Sequence, residues 1–496
     1  MQGNLAKTNQ KIIHMLKISK DFFSSWNEAG LLYCHWKSNE HLLPGLDGDT
    51  DLDVLLSRDD QTKGEAILHE LDFLQCKSQY GSRYPNVDDW IGFDKETGKL
   101  IHLHLHYALV TGHKGMKEYE LPWTERALRT RILDEEYGVY IMEPNLEMVT
   151  LYTRIGLKAD FINITKCHLG KFVLSIDVQK EIDWLREKIN PNVVCRLLEE
   201  YYGSNSHKML EIMMQKSINS RNFLDIRKIN EHTFRSYSRI RHFIRLRELI
   251  FFVNQKLLKV NNGQLNFRVR KKVPYNLKGI SIALLGQDGA GKTTVTNCLL
   301  KWLRWKLDVR YVYMGSGDNY TSWKKELASK LPTQGLGRYL RGLMMLLALR
   351  DVARDAYKKV VKVNRLTKEG IIVIYDRFPQ VNFSGINDGP KIRELLHKYF
   401  GNGRIFHLLE PIAESEESYL NKVVSFQPNM VFKLMLSPEE SIRRKPNNDY
   451  ETIKKKNQII KSLVFNDSDV VSVDATMPFD EEILFIKNSI WQQIQK

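Results

Sequence analysis

Cysteine pairs are what this 496-residue chain most plainly lacks. Its five cysteines, Cys34, Cys76, Cys167, Cys195 and Cys298, are scattered and form no C-x-x-C spacing. That argues against structural zinc and against a disulfide framework, and it favours a reducing compartment. No stretch approaches 18 uninterrupted apolar residues, so the sequence predicts no membrane span. The opening Met-Gln-Gly-Asn-Leu-Ala-Lys has no apolar signal-peptide core. A cytoplasmic protein is the expectation. Internal repeats and low-complexity tracts are also missing.

What is present has the balance of a folded chain, with 43% hydrophobic and 27% charged residues. The length predicts two or three domains, each with its own core. The net charge of +15 is unevenly placed: residues 216–278 hold 16 Lys or Arg against Asp225, Glu231 and Glu248. The regions on either side nearly cancel, with a net of −7 over 1–215 and +9 over 279–496.

Three regions follow from the hydrophobic periodicity. Residues 1–160 read as mixed α/β, with a helix over 11–27, strands over 30–36, 52–56, 90–93 and 100–110, and a helix over 61–71. Residues 161–275 read as a helical, increasingly basic connector. Residues 276–496 alternate short apolar strands with longer helices, the pattern of a parallel α/β sheet. Strands are predicted there at Ile280–Leu285, Val309–Met314, Ile371–Tyr375, Ile405–Leu409, Val431–Leu436 and Val470–Val473.

The most informative motif is Gly286-Gln-Asp-Gly-Ala-Gly-Lys-Thr293, which fits G-x-x-x-x-G-K-[ST]. An apolar strand precedes it and a helix follows, as phosphate binding requires. Gly286, Gly289, Ala290 and Gly291 let backbone N–H groups turn towards one point, and the helix N-terminus adds positive potential. Lys292 would reach the β- and γ-phosphates of ATP, the Thr293 hydroxyl would ligate Mg²⁺, and Thr294 continues the loop. The guanine-reading N-K-x-D is missing, since Asn421-Lys-Val-Val424 has no aspartate, so a GTPase is disfavoured.

Further segments point to a small-molecule kinase. The strand Gly370-Ile-Ile-Val-Ile-Tyr375 delivers Asp376 and Arg377 to its carboxyl end, where ligands bind in open α/β sheets. There Asp376 can order Mg²⁺ and Arg377 can bridge phosphates; a simple ion pair is the plainer alternative. Ser437-Pro-Glu-Glu-Ser-Ile-Arg-Arg-Lys445 suits a mobile basic lid carrying Arg443 and Arg444, or else a solvated helix end.

The order of P-loop with an acid before its middle glycine, Asp-Arg-aromatic, Ser-Pro-Glu-Glu with a basic lid, and Val473-Asp-Ala475 resembles the thymidylate kinase family across residues 276–496. That resemblance implies a P-loop parallel sheet flanked by helices. It also implies that Asp288 binds the acceptor's sugar hydroxyl, Arg377 holds phosphate, Arg443 or Arg444 acts from the lid, and Arg354 reads the base. Two departures stand against dTMP as acceptor. The family's Phe-Pro-x-Arg phosphate grip is replaced by Tyr313-Met-Gly-Ser-Gly317, and the position of the thymine-stacking aromatic falls on Arg350. A nucleotide, a nucleoside or a sugar remains open as the small-molecule acceptor.

Near the N-terminus, Asp47-Gly-Asp-Thr-Asp-Leu-Asp53 puts four carboxylates at alternate positions, on one face if the strand is extended. Asp51-Leu-Asp-Val54, with Trp36-Lys-Ser38 upstream, resembles a minimal nucleotidyltransferase domain of α+β type. The resemblance makes Asp51 and Asp53 metal ligands. The third carboxylate such a domain needs has no candidate within Ile101-His-Leu-His-Leu-His106. His102, His104 and His106 alternate there, either as transition-metal ligands or as half-exposed strand residues. An active transferase, a degenerate binding version and an acidic turn all stay open.

In the connector, Arg235, Arg239, Arg241, Arg245, Arg247 and Lys256 interleave with Phe243, Ile244, Leu249, Ile250, Phe251 and Phe252. A solvated helical linker, an anionic membrane surface and a nucleic-acid backbone each fit that pattern. A peripheral membrane location and a homodimer are the accompanying expectations. Two function classes follow for the whole chain: an ATP-Mg²⁺ kinase fused to a nucleotidyltransferase, or a nucleotide-sensing regulator acting through its basic connector.

Overall fold

The computed structural model describes residues 15–78, 84–240, 242–260, 271–275, 277–315, 323–384 and 388–496; at 245 and 254–260 only the backbone is described. The chain forms two compact units, Met1–Val260 and Asn261–Lys496.

The first unit carries β1 (Tyr33–His35), β2 (Asp51–Leu56), β3 (Leu74–Lys77), β4 (Val87–Phe93), β5 (Leu100–His106), β6 (Val110–Thr111), β7 (Tyr119–Glu120), β8 (Ile132–Asp134) and β9 (Val139–Ile141). Its main sheet runs β3-β4-β5-β2-β1-β9-β8, while β6 and β7 pair separately. The pairs β2–β5 and β1–β9 are parallel and the remaining pairs antiparallel. Side-chain alternation sorts residues between the two faces. Leu52, Val54, Ile101, Leu103 and Leu105 enter a core with Phe22, Phe23 and Trp26 of the helix Lys17–Glu28. Asp51, Asp53, Leu55 and the three β5 histidines have the opposite parity, and Leu55 packs with Trp36 and Tyr152.

That second core runs on through Leu198, Met213, Ile226 and Phe234. The helices Pro144–Leu157, Pro191–Tyr202, Ser206–Met214 and Ser220–Thr233 therefore pack as one body with the sheet. The expected connector over 161–275 does not stand apart: up to Phe234 it shares the core of the mixed α/β region. Contact is close where a Cβ on Gly156 would lie 2.3 Å from Asn230 Nδ2 and 2.9 Å from Ile226 O.

The second unit holds β10 (Val273–Pro274), β11 (Ser281–Gly286), β12 (Val309–Tyr313), β13 (Ile372–Asp376), β14 (Met430–Met435) and β15 (Asp469–Asp474). Its sheet runs β12-β13-β11-β14-β15 and every pair is parallel. Apolar residues run through β11, β13 and β14 because helices cover both faces of such a sheet. Ala283, Val373 and Val431 are buried with Ala356 and Val360 of the long helix Gly335–Lys368. The chain leaves β11 towards β12 and leaves β13 towards β14, in opposite directions across the sheet. The crevice at the carboxyl ends of β11 and β13 is thus the switch point where ligands of open α/β sheets sit.

One predicted strand is wrong. Ile405–Leu409 lies in the helix Arg404–Val424, with Ile405 51% and Leu408 77% exposed. A five-residue apolar run does not separate strand from helix; the period of Phe406, Ala413, Leu420 and Val423, the buried side of the helix, decides it. Among the described residues, no helix is long and apolar enough to cross a membrane. The opening residues read for a signal peptide, 1–7, and the start of the predicted first helix, 11–14, lie outside the described residues, as does Arg241.

Candidate active site

The glycine loop leaves β11 at Gly286 and enters the helix Lys292–Leu303. Gly289 and Gly291 take φ of +89° and +83°, in the left-handed region that L side chains rarely enter. At Gly289 space is also short, because a Cβ would lie 3.2 Å from Ser441 O. Gly291 caps the helix without a side chain, leaving the first-turn amides for an anion. Lys292 Nζ donates to Gly286 O at 2.7 Å and to Gln287 O at 2.8 Å, so its ammonium spans the loop. Burial, followed by the nearby Arg377 guanidinium, lowers the Lys292 pKa to about 8.

Asp376 ends β13 and pairs in register with Leu284 of β11, which brings it beside the loop. Its carboxylate is buried and accepts a hydrogen bond from Tyr311 Oη of β12 at 3.0 Å. Burial and then the adjoining Asp376 charge push the Tyr311 phenol well above its ordinary value. Arg377 follows with φ of +70°, a strained conformation for a non-glycine residue and one concentrated at functional sites. Its guanidinium lies 3.8 Å from Asp388 Oδ2 and 6.0 Å from the Tyr313 ring centre.

The basic segment expected as a lid is the short helix Pro438–Arg444, capped by Ser437 Oγ, which accepts from Glu440 N at 3.2 Å. It is latched to the loop: Ser441 Oγ donates to Asp288 O, Arg444 Nη1 to Gly289 O at 3.4 Å, and Gln287 Nε2 to Leu436 O at 2.8 Å. Glu440 binds Arg443 at 2.6 Å and Arg444 at 2.8 Å, and those bonds, Arg443's first, hold its carboxyl down at about 2. Arg443 is 76% exposed and outside the cavity, while Arg444 and Lys445 line it.

Asp288 is engaged by a residue that sequence reasoning missed. Lys456, on the helix Tyr450–Ser462, donates to Asp288 Oδ2 at 2.6 Å. Burial alone would raise the Asp288 pKa, but Lys456, then Lys292 and Arg377, bring it below the ordinary value. Asp288, Lys292, Thr293, Asp376, Arg377 and Arg444 meet at one cavity of about 780 Å³. Gly289, Gly291 and Thr294 also line it; Gly286 and the buried Ala290 shape the loop behind. Arg354 is exposed and not part of the lining, whereas Asp355 and Lys359 on the same helix are. Tyr311 and Tyr313 complete the wall, with Lys359 Nζ donating to Tyr313 O at 3.1 Å. Of the segment Tyr313–Gly317, Ser316 and Gly317 lie outside the described residues.

In the first unit only part of the acidic run is strand. Asp51 and Asp53 lie on β2, but Asp47 closes a short helix, and Lys99 Nζ pairs with Asp47 at 2.7 Å and with Asp49 at 3.4 Å. The expected row of four carboxylates is therefore two, because the chain turns at Gly48. Lys37 Nζ contacts Asp53 at 2.7 Å. Of the basic stretch, Arg239 N donates to Glu118 O at 2.8 Å and Arg235 lines a separate cavity, while Leu249, Ile250 and Phe252 on the helix Ile244–Val260 are exposed. Nothing is described of the Arg245 and Lys256 side chains.

No family model matches the chain. It is 28% identical over 219 residues to the "Uncharacterized ATP-binding protein YghR" of Escherichia coli strain K12, a match covering 40% of this chain and 82% of that protein. It is 26% identical over 217 residues to YghS of the same strain, described in the same words, covering 40% and 87%. A solved deoxyadenosine kinase from M. mycoides with bound dATP shares 16% identity, covering 42% of this chain and 98% of that one, at a TM-score of 0.26. At that TM-score the likeness carries no argument.

Proposed function

We propose that the second unit binds ATP with Mg²⁺ and transfers its terminal phosphoryl group to a small nucleotide, nucleoside or sugar-like acceptor. The observation that carries this reading is the meeting of a P-loop lysine and threonine, a strand-end Asp-Arg pair and a latched basic helix at one cavity. The relatives named ATP-binding proteins support the donor; the acceptor rests on the chemistry of the wall.

Lys292 and the loop amides hold the donor phosphates. The Thr293 hydroxyl and the Asp376 carboxylate are hard oxygen donors on the same cavity, and they suit Mg²⁺. When bound, that ion neutralises charge between the phosphates. Arg377 and Arg444 present fixed guanidiniums to the charge that spreads over the transferring group. Asp288, kept ionised by Lys456, accepts a hydrogen bond from an acceptor hydroxyl and orients it. In the transfer a bond forms from acceptor oxygen to phosphorus and the bridging P–O bond breaks. ADP leaves, and the acceptor proton passes to a carboxylate or to water.

The test is a panel of nucleosides, nucleotides and sugars incubated with ATP, with phosphorylated product read by mass spectrometry. Product from one acceptor class, lost in Lys292→Ala, supports the reading. Tight ATP binding without product from any acceptor favours the regulator instead.

A further inference from the structure

The first unit holds a cluster of imidazoles and carboxylates away from the P-loop. His102 and His104 on β5 face Asp51 and Asp53 across the parallel β2 in strict register, and Asp89 faces His104 from the antiparallel β4. Asp51 Oδ1 lies 2.7 Å from His102 Nδ1, and Asp89 Oδ1 lies 3.1 Å from Nε2 of both rings. Asp53 Oδ1 lies 3.2 Å from His104 Nδ1. All four ring nitrogens thus meet carboxylates. A neutral imidazole has one N–H, so in a ring that is neutral one of these contacts sets a lone pair against a carboxylate. His102 is 1% exposed, where such a contact has no water to relieve it.

We propose that Asp51, His102 and His104 bind one divalent transition-metal ion, with Asp89 orienting both rings from behind. One donor atom from each of the three lies within 4.8 Å of the other two. The 2.7 Å carboxylate–imidazole contact needs to open by less than about 1 Å to seat an ion roughly 2 Å from each atom. Asp89 is itself fixed by Ser78 Oγ, which donates to its Oδ2 at 2.6 Å, the outer-shell support that ligating histidines generally have. The neighbouring group Asp53, His104 and His106 meets the same spacing, with Lys37 Nζ 2.7 Å from Asp53. Asp51 is 30% and His104 22% exposed, so the site stays open on one side for water or substrate.

Two imidazoles in the donor set fit Zn²⁺ or Co²⁺ rather than Mg²⁺, which takes oxygen ligands. That departs from the all-carboxylate metal site a nucleotidyltransferase resemblance implies. His104 of β5 lies in register with Asp53 of β2.

The test uses the full chain, stripped with chelator and titrated with Zn²⁺ by calorimetry, then with Co²⁺ read by its visible absorption. One tight equivalent is expected, resistant to a large excess of Mg²⁺, with the Co²⁺ bands of mixed nitrogen and oxygen ligation. Affinity should fall at least about 100-fold in His104→Gln, at the partly exposed edge of the cluster, and about 10- to 100-fold in Asp89→Asn. Lys292→Ala should bind the ion unchanged, which separates this site from the P-loop. Failure to bind, displacement by Mg²⁺, or equal affinity in folded His104→Gln overturns the proposal.

Discussion

Nucleotide affinity should weaken as pH rises through about 8, and Lys292 sets the size of the effect. In the ligand-free loop its pKa is lowered to about 8, by burial first and then by Arg377. A bound polyphosphate compensates the ammonium and restores an ordinary value, roughly 10.4. The free protein must then take up a proton to bind, and the fraction that has lost it grows from about one tenth at pH 7 to about nine tenths at pH 9. Apparent affinity therefore falls about tenfold over those two units, or about 1.4 kcal/mol. Stability of the ligand-free unit moves the other way. Its folded state holds fewer protons than the unfolded chain above about pH 8, so it gains stability as pH rises towards the ordinary lysine value. Calorimetry with a non-hydrolysable ATP analogue, in buffers of different ionisation enthalpy, reads both affinity and proton uptake. Uptake should be about half a proton at pH 8 and more at pH 9. Lys292→Met should bind weakly and without this slope. A flat affinity from pH 7 to 9, or the same slope in Lys292→Met, would mean that Lys292 does not set the pH dependence.

Asp376→Asn keeps the shape of the side chain and removes its charge beside Thr293; kcat should fall on the order of 100-fold while the ATP dissociation constant changes only a few-fold, checked by steady-state kinetics and equilibrium binding. Gly156→Ala forces a methyl against Asn230 Nδ2 and the Ile226 carbonyl, and it should cost the first unit about 1–3 kcal/mol in denaturant unfolding. An unchanged midpoint would mean that the helices Pro144–Leu157 and Ser220–Thr233 do not approach as closely as described.

The loop at 286–293 was legible because strand, glycines and helix are local and contiguous, and Asp376 because it ends a strongly apolar strand. The helical stretch to Phe234 was not legible as part of the first unit, since its union with Trp36 and Tyr152 is made only by tertiary packing. Lys456 and Tyr311 escaped for a similar reason: each reaches the site from a distant segment, and no motif marks a lone lysine on a helix. Asp89 required the β4–β5 register, which sets it beside His104. Arg354 illustrates the converse. The family resemblance implied a place in the site, but the helix turns Asp355 and Lys359 inwards and leaves Arg354 in solvent.

Phosphoryl transfer from ATP at the cavity beside Lys292 can be followed directly. Its most direct measurement follows γ-labelled ATP with the full chain and Mg²⁺, across nucleoside, nucleotide and sugar acceptors. Label should appear on one acceptor class with stoichiometric ADP and be abolished in Lys292→Ala. ATP bound tightly with no label moved to any acceptor, or transfer that survives Lys292→Ala, would contradict it.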